Sequence, residues 1–526
     1  MKRTKRYAAL LLALVMTLLL GGCGKEETFT VRVGLLGENQ LVEPAMVSND
    51  SERTVVSHLY ENLMKIVPDG ENGIQVQPGQ AKSYTCDDEV DGTQTYTFHL
   101  RDDITWSDGQ AVTAEDFVRS WRHLADPETK SPNAAMLNVV QGYDKARSKG
   151  DMSLLQVEAE DEQTLVVKLN CRCAYFLSAI CTAAETMPAR TDDLAVSNGA
   201  FCMTALEDST MHLAKRNGYY DSKRIAPDEL QIIFGHSDAE LATMYKDKEL
   251  DFVRYQPGEG VMDGADMYPS TTALLVNQSA PSMKSAALCQ AMSLVIDRNT
   301  MVADLGGAYA AADGLVTYGI LAEDGTSFRE EGSPIIDNDP KHYEDNCALA
   351  KEKMAEAGYD NSAAIESLGK ITLLYVDSLD NKQPVSDMKK AWKDKLGLDV
   401  TLNGVLPQDM AEALRKGEFT LALTDVTASY SDASAFLSQF SGKSAGNYGH
   451  FRDRAYNMLM RVAATSSNEE ARIAYLKDAE RLLLEKGGVI PLYSALCNHE
   501  LRNGLTGLYS NGAGVYYFNS INEVTN

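Results

Sequence analysis

The chain has 526 residues and a formal net charge of -26 at pH 7. This negative balance argues against binding to nucleic acid and against lying flat on an anionic membrane surface, because both partners are negatively charged. Apolar residues make up 44% of the chain, which is enough for sizeable cores, and the length predicts two or three domains.

The N-terminus has the pattern of a lipoprotein signal peptide. Basic residues between Lys2 and Arg6 precede an apolar run, Ala8 to Leu20, that is too short to span a bilayer comfortably. Gly21-Gly22-Cys23 follows, and a small-residue pair before Cys at the end of such a run is typical of a lipobox. We predict that residues 1–22 are removed, that the Cys23 thiol is diacylated, and that residues 23–30 form a polar tether. Two acyl chains would anchor the protein stably on the extracytoplasmic face of the cell membrane.

The segment from Tyr96 to Gly109 has a clear local pattern. Apolar side chains alternate with polar ones from Tyr96 to Leu100, which predicts a half-buried strand. Asp102-Asp103 predicts a turn, and Ile104 to Trp106 a second short strand. Gly109 ends the next turn, where a positive φ is expected.

A helix is predicted directly after this segment. Thr113 is a suitable N-cap, and Asp116 can return its hydrogen bond in a capping box. Phe117, Trp121 and Leu124 form an apolar stripe, and Pro127 ends the helix. The spacing contains no catalytic pattern, so the whole segment is predicted to be scaffold.

Residues 96–121 together with D-P-E-T-K-S-P at 126–132 resemble the signature of the bacterial extracellular solute-binding proteins of the oligopeptide/dipeptide/nickel class, the receptors of ABC importers. Further matches are P-G-Q-A-K-S-Y at 78–84, N-G-A-F at 198–201, E-A-G-Y at 356–359 and V-I-P-L-Y at 489–493. The resemblance covers essentially all of the chain after the signal peptide.

The resemblance implies an α/β, two-lobed periplasmic-binding-protein-like fold with the ligand cleft between the lobes. Lobe I is expected to take residues 31–62, 198–272 and 491–526, an inserted subdomain residues 63–197, and lobe II residues 273–490. The implied function is that of a monomeric substrate-binding lipoprotein that captures peptides and delivers them to the permease of an ABC transporter. An extended peptide is held there mainly through its backbone.

The same resemblance supplies candidate ligand contacts. They lie in an N-terminal loop, on the strand entering lobe II, in a loop of lobe II and on the strand returning to lobe I: Glu38, Asn39, Gln40, Thr271, Thr272, Asn277, Asp425, Val426, Thr427, Ser429, Tyr430 and Tyr493.

Ser429 marks a departure from the family pattern. In oligopeptide receptors this position holds an Asp that pairs with the α-ammonium of the ligand, and losing such a pair costs roughly 2–5 kcal/mol. Asp425 or Asp432 could substitute from the same stretch. The alternatives left open are a peptide without a free amine, a modified peptide, haem or another polar solute, and a receptor that senses peptides rather than importing them.

Eight cysteines besides Cys23 raise the question of a metal site. Cys171, Cys173 and Cys181 are close in sequence, but no His lies at ligand spacing near them, so structural thiols are favoured over a metal cluster. The eight histidines show no clustered pair, which argues against nickel. We therefore expect no metal and no cofactor, and the disulfide state of the cysteines stays open.

An enzyme is the competing class of protein. It would need a nucleophile with its base and orienting acid, or a metal centre. G-x-S-x-G, H-E-x-x-H and S-x-x-K are not found in a suitable context, so the sequence favours a binding protein.

Overall fold

The computed structural model describes residues 28–70, 73–89, 92–255, 266–306, 308–320, 327–329, 334–428, 430–442, 444, 446–466, 468–512 and 514–524. The predicted signal peptide and Cys23 lie outside these residues. Within the described part of the chain, none of the helices combines the length and the apolar character needed to cross a membrane.

The strands, in chain order, are β1 Thr30–Gly34, β2 Met64–Asp69, β3 Gly73–Pro78, β4 Ala81–Asp88, β5 Gln94–Leu100, β6 Val157–Ala159, β7 Thr164–Leu169, β8 Phe201–Glu207, β9 Thr210–Lys215, β10 Glu229–Ile233, β11 Phe252–Arg254, β12 Asp266–Val276, β13 Tyr309–Ala311, β14 Ile371–Val376, β15 Val400–Val405, β16 Leu421–Thr427, β17 Val489–Cys497, β18 His499–Leu501, β19 Leu505–Thr506, β20 Tyr509–Ser510, β21 Tyr516–Tyr517 and β22 Asn522–Glu523.

The α-helices are α1 Asp50–Leu59, α2 Ala114–Ala125, α3 Tyr143–Lys149, α4 Asp238–Lys246, α5 Ala286–Leu294, α6 Arg298–Asp304, α7 Tyr343–Glu356, α8 Ser362–Ser367, α9 Leu379–Leu396, α10 Pro407–Lys416, α11 Ala433–Leu437, α12 Arg454–Thr465 and α13 Glu469–Glu485.

The first lobe is built on a six-stranded sheet with the order β18-β11-β1-β10-β9-β8. In this sheet β1 runs parallel to both β10 and β11. Val31 and Val33 of β1 are fully buried, as expected for a strand covered on its inner face. A four-stranded sheet, β4-β5-β7-β6, lies within residues 63–197 and shares one apolar core with the lobe I strands.

The second lobe is built on a sheet with the order β13-β17-β12-β16-β14-β15. Its strands are covered on both faces, and β12 shows this directly. Ala273 and Leu275 belong to the core on one face, while Leu274 and Val276 belong to the core on the other. Alternate residues of a strand point to opposite faces, so this run of apolar residues indicates a sheet between two layers.

Two strands connect the lobes, and we call β12 and β17 the crossing strands. The chain leaves the lobe I sheet after β11 and enters the lobe II sheet as β12; it returns through β17 to β18, which pairs with β11. The crossing strands pair with each other antiparallel, from Asp266 opposite Cys497 to Leu275 opposite Val489. The molecule therefore has the predicted α/β, two-lobed architecture, while the residue limits assigned to each domain stay a prediction.

The scaffold segment at residues 96–127 folds largely as its pattern predicts. The strand β5, the turns and the capping box of Thr113 and Asp116 are present, and Gly109 has a φ of 86°. The stripe residues Phe117 and Trp121 are fully buried. The prediction of a second short strand from Ile104 to Trp106 is wrong. Within this segment only Thr105 pairs with another strand residue, through an isolated bridge to Ala111.

Candidate ligand crevice

The carboxyl ends of the parallel strands face each other across the two lobes. In lobe I the strands β1, β10 and β11 end at one edge, and in lobe II β14, β15 and β16 end at one edge. The crossing strands run from one edge to the other, since Arg254 pairs with His499 and Ser270 pairs with Thr427. Ligands of open α/β sheets bind outside the carboxyl ends of the strands, so the space between these two edges is the candidate crevice.

The loop that was predicted to carry ligand contacts in lobe I lies at this edge. Asn39 donates a hydrogen bond from its side chain to the carbonyl of Glu207, the last residue of β8. The carbonyl of Gly37 accepts a hydrogen bond of 3.1 Å from the Gly235 N–H. Glu38 and Gln40 are exposed. The side chain of Asn39 therefore holds the loop in place. Of the three residues predicted here, Glu38 and Gln40 have the exposed side chains that a ligand can reach.

A buried charge network, which the sequence analysis missed, lies where lobe I meets the crossing strands. The first residue of α1, Asp50, accepts a hydrogen bond of 2.7 Å from Arg254 Nη2 and one of 3.3 Å from Arg53 Nη1. Arg53 also donates to Glu185 at 2.7 Å. Arg254 lies 5.9 Å from the ring centre of Tyr268, at the start of β12. The network ties a helix N-terminus, where an acidic residue is favourable, to the crossing strand.

The balance of forces at Arg254 favours a permanent charge. Burial works against the charge of the guanidinium, but Asp50, Cys497 and Tyr516 together more than offset this effect, so the pKa of Arg254 lies above its ordinary value. Asp50 and Arg254 are 204 residues apart in the chain, so local sequence patterns carried no signal for this pair. The N-cap of α1 is Asn49, whose side chain accepts from the Glu52 N–H.

A cavity of about 840 Å³ adjoins this network between the lobes. Its lining includes Tyr268 and Pro269 of the first crossing strand, Gly319 of lobe II and Tyr516 of the C-terminal segment. A volume in this range is typical of small-molecule binding sites.

At the lobe II edge, three of the predicted residues come together. Thr272 Oγ1 donates a hydrogen bond of 2.6 Å to Asp425 Oδ1, and Thr272 pairs with Tyr493 across the crossing strands. Asp425 is exposed, whereas Tyr493 is buried with its ring edge-on to Tyr309 at 5.3 Å. Burial and the negative charge of Asp425 raise the pKa of Tyr493 above its ordinary value, so its hydroxyl stays a hydrogen-bond donor.

Three other predicted residues serve the fold. Thr271 is fully buried and donates to the carbonyl of Leu315 at 2.8 Å. Val426 is 2% exposed and belongs to a lobe II core. Asn277, at the far end of β12 from the crevice, donates to the carbonyls of Gly417 and Phe419 and accepts from the Ser279 N–H. These contacts leave the predicted ligand role of the three side chains without structural support.

The remaining residues of the predicted loop lie beside a contact between the lobes. Thr427 is exposed, and its hydroxyl lies 2.7 Å from that of Ser270. Tyr430 stacks on Tyr175 of the first lobe, with ring centres 5.5 Å apart and planes inclined by 14°. The Ala174 N–H donates to the carbonyl of Ala464 at 3.2 Å, again from lobe to lobe. The lobes thus touch at this second place, away from the crossing strands.

Of the two acids that could replace the Asp expected at position 429, one is committed to the fold. Asp432 is 4% exposed; one oxygen caps α11 and the other accepts from Arg472 Nη2 at 2.6 Å. Asp425 has one hydrogen bond, from Thr272, among the described residues. Ser429 itself lies outside the described residues.

The cysteines are dispersed as free thiols among the described residues. Cys173 and Cys181 are buried in the lobe I core, and burial raises the pKa of both thiols. In the part of the chain that the structure describes, no group of three or more His, Cys, Asp or Glu side chains is placed to hold a metal ion.

Comparisons with known proteins place this architecture in a family. The family model of the bacterial extracellular solute-binding proteins, family 5 Middle, matches residues 75–448. The oligopeptide-binding protein OppA of Bacillus subtilis (strain 168) is 24% identical over 556 residues, which cover 98% of each chain. The probable deoxycholate-binding periplasmic protein YgiS of Escherichia coli (strain K12) is 26% identical over 476 residues, covering 86% of this chain and 85% of YgiS.

A solved structure shares the fold over nearly the whole chain. The MppA periplasmic murein tripeptide binding protein, in its unliganded open form, superposes with a TM-score of 0.77 at 23% identity and covers 95% of this chain and 98% of its own. With the family model matched over most of its length, this chain belongs to the bacterial extracellular solute-binding proteins of family 5.

Proposed function

We propose that this protein captures peptides in the crevice between its lobes and delivers them to the permease of an ABC importer. The observation that carries the proposal is the exposed Asp425 carboxylate at the lobe II edge, beside Thr272 and Tyr493 and opposite the carboxyl edge of lobe I. Full-length similarity to an oligopeptide-binding protein supports the same ligand class.

Asp425 is the residue to which we assign the α-ammonium of the peptide. Its Oδ1 already accepts from Thr272, and among the described residues its Oδ2 has no donor. Tyr493 is kept protonated and can donate to a peptide carbonyl nearby. A hydrogen bond between charged groups contributes about 1.5–3 kcal/mol. In this arrangement Asp425 takes over the task that the Asp of the usual family motif performs.

The crevice binds and performs no chemistry in this proposal. The matched relatives are named for binding. Incubation with peptide libraries should therefore return the peptides uncleaved.

Native mass spectrometry with random tetra- to hexapeptide libraries tests the function. We expect the wild-type protein to retain peptides with a free N-terminus and to bind the N-acetylated library about tenfold or more weakly. Asp425→Asn should remove this difference. Asp394→Asn is the matched control, because Asp394 is exposed at the opposite end of α9 from the crevice edge. Retention of deoxycholate with no peptide bound would overturn the proposal.

Anchoring and assembly belong to the same proposal. We propose that Cys23 carries the lipid, that the mature protein is a monomer on the extracytoplasmic face of the membrane, and that the domain limits are those given above. The intact mass of protein extracted from membranes should show loss of residues 1–22 and addition of a diacylglyceryl group. Cys23→Ala should release the protein from the membrane without changing peptide binding; an unchanged membrane fraction would contradict the anchor.

A further inference from the structure

Residues 312–320, which we call the wall segment, belong to lobe II and lie beside the crevice. The carbonyl of Leu315 accepts a hydrogen bond of 2.8 Å from Thr271 Oγ1 of the first crossing strand. Gly319 follows in the same segment and lines the cavity of about 840 Å³ between the lobes. The wall segment is therefore attached to the crossing strand at one point and faces the cavity at another.

Gly319 presents its backbone to this cavity. It is exposed and has a φ of 82°, a conformation that favours glycine. Among the described residues, neither its N–H nor its carbonyl has a hydrogen-bond partner. An extended peptide is held mainly through backbone hydrogen bonds, so an exposed peptide group at the crevice is suited to bind one.

A buried carboxylate holds the wall segment from the side away from the cavity. Glu480 of α13 is 1% exposed, and its Oε1 accepts the backbone N–H groups of Leu315 at 2.6 Å and of Val316 at 2.9 Å. Hydrogen bonds to an ionised acceptor are roughly twice as strong as those between neutral groups. Glu480 thus fixes two consecutive peptide groups a short distance before Gly319 in the chain.

Arg329 completes this arrangement. Its Nη2 donates to Glu480 Oε1, and its Nε donates to the carbonyl of Val316 at 3.0 Å. The backbone passes so close at Gly314 that a Cβ there would lie 2.6 Å from Glu480 Oε1. Because these groups are closely packed, a change in the bonding of Glu480 shifts the wall segment rather than being absorbed locally.

We propose that Glu480 is a positioning residue for peptide capture: it holds the wall segment so that the backbone of Gly319 hydrogen-bonds to the backbone of the captured peptide. This inference rests on the proposed function, since the peptide is the ligand. Glu480 does not touch the peptide itself, because its carboxylate is buried and bound to the wall segment and to Arg329. A purely structural role would lower the stability of lobe II and leave the affinity of the folded protein unchanged.

The first test compares the peptide affinity of Glu480→Gln with that of the wild-type protein. Glutamine keeps the shape of the side chain and removes the charge that binds the two N–H groups and Arg329. Calorimetry with one peptide selected from the libraries, at a temperature where urea denaturation shows the variant to be folded, should give binding weaker by about tenfold or more. Glu485→Gln is the matched control, because Glu485 is exposed and ends the same helix, and it should bind as wild type does.

Hydrogen exchange on the wild-type protein tests the same inference without a substitution. Exchange of the Gly319 N–H, resolved by mass spectrometry with electron-transfer fragmentation, should become slower by about tenfold or more when the selected peptide is bound. Gly369 is the matched control, because it is an exposed glycine with a φ of 71° that precedes β14, at the opposite edge of the lobe II sheet. Its exchange should not change.

Two results would overturn the inference and leave peptide capture standing. One is binding by folded Glu480→Gln within about threefold of wild type. The other is an unchanged exchange rate of the Gly319 N–H with the peptide bound, and this measurement decides the inference if Glu480→Gln does not fold. Failure of the wild type to bind any peptide from the libraries would overturn both the inference and the proposed function.

Discussion

The two edges of the crevice use carboxylates in different ways. At the lobe I edge Asp50 is buried and bound to two arginines, so its charge holds α1 against the crossing strand. At the lobe II edge Asp425 is exposed and bound to one hydroxyl. The same chemical group therefore supports the fold at one edge and stays available to a ligand at the other. Four predictions test this difference, in order of decreasing effect.

The largest effect is expected from breaking the buried pair. Arg254→Met removes a guanidinium that is 7% exposed and leaves Arg53 as the basic partner of Asp50 among the described residues. Removing one partner of a buried ion pair typically costs 3–5 kcal/mol, so we expect a loss of about 3 kcal/mol or more in urea denaturation. A loss below about 1 kcal/mol would show that the pair does not stabilise lobe I.

Acid should weaken lobe I through His58. This residue is fully buried in α1, with Nδ1 2.7 Å from the Thr54 carbonyl and Nε2 accepting from the Phe518 N–H. Burial lowers the pKa of His58 from 6.5 to about 4, so the unfolded chain binds the proton first. The stability is complete above about pH 6.5 and decreases as the pH falls towards 4, by about 3 kcal/mol in all.

The control for this prediction is His58→Gln, which cannot titrate. Urea denaturation at several pH values should show a smaller decrease between pH 7 and pH 4 for the variant than for wild type. Equal pH dependence of the two proteins would contradict the assignment to His58, whatever the stability of the variant at neutral pH.

A smaller effect is expected at the contact between the lobes. Tyr430→Ala removes the stack on Tyr175, and such a pair contributes about 0.5–1.5 kcal/mol. We expect the variant to favour a more open arrangement, seen as a larger radius of gyration in small-angle scattering. Tyr430→Phe keeps the ring and should resemble wild type. Equal radii for the alanine variant and wild type would contradict a role of the stack in closure.

The smallest change in stability is expected at Asp425. Asp425→Asn alters an exposed side chain, so the free energy of unfolding should change by about 0.5 kcal/mol or less, measured by urea denaturation. A large loss would mean that Asp425 supports the fold as Asp50 does, and the contrast between the two edges would be lost.

Local patterns in the sequence predicted the scaffold well. The capping box of Thr113 and Asp116 and the stripe of Phe117 and Trp121 depend on residues three or four positions apart, and the structure contains both. Local sequence alone does not decide the N-cap of α1, because Asn49 and Ser51 are both residue types that cap helices; in the structure Asn49 is the cap.

The site was less predictable because its contacts are long-range. The pairing of Asp50 with Arg254 brings together residues 204 positions apart, and neither has a recognisable motif. Asn277 was plausible as a ligand contact by type, but its amide holds the end of β12. Thr272, Asp425 and Tyr493 were found through family resemblance, and only the strand register shows that they are adjacent.

The most direct test of lobe closure around a peptide is the distance between the two edges. Labels at Leu206 and Leu406, both exposed and on opposite lobes, can be introduced as unnatural amino acids, which avoids labelling the eight free thiols of the described residues. Pulsed electron spin resonance should show a shorter and narrower distance distribution after addition of a peptide that native mass spectrometry has shown to bind. An unchanged distribution with the peptide bound would contradict closure of the lobes around the ligand.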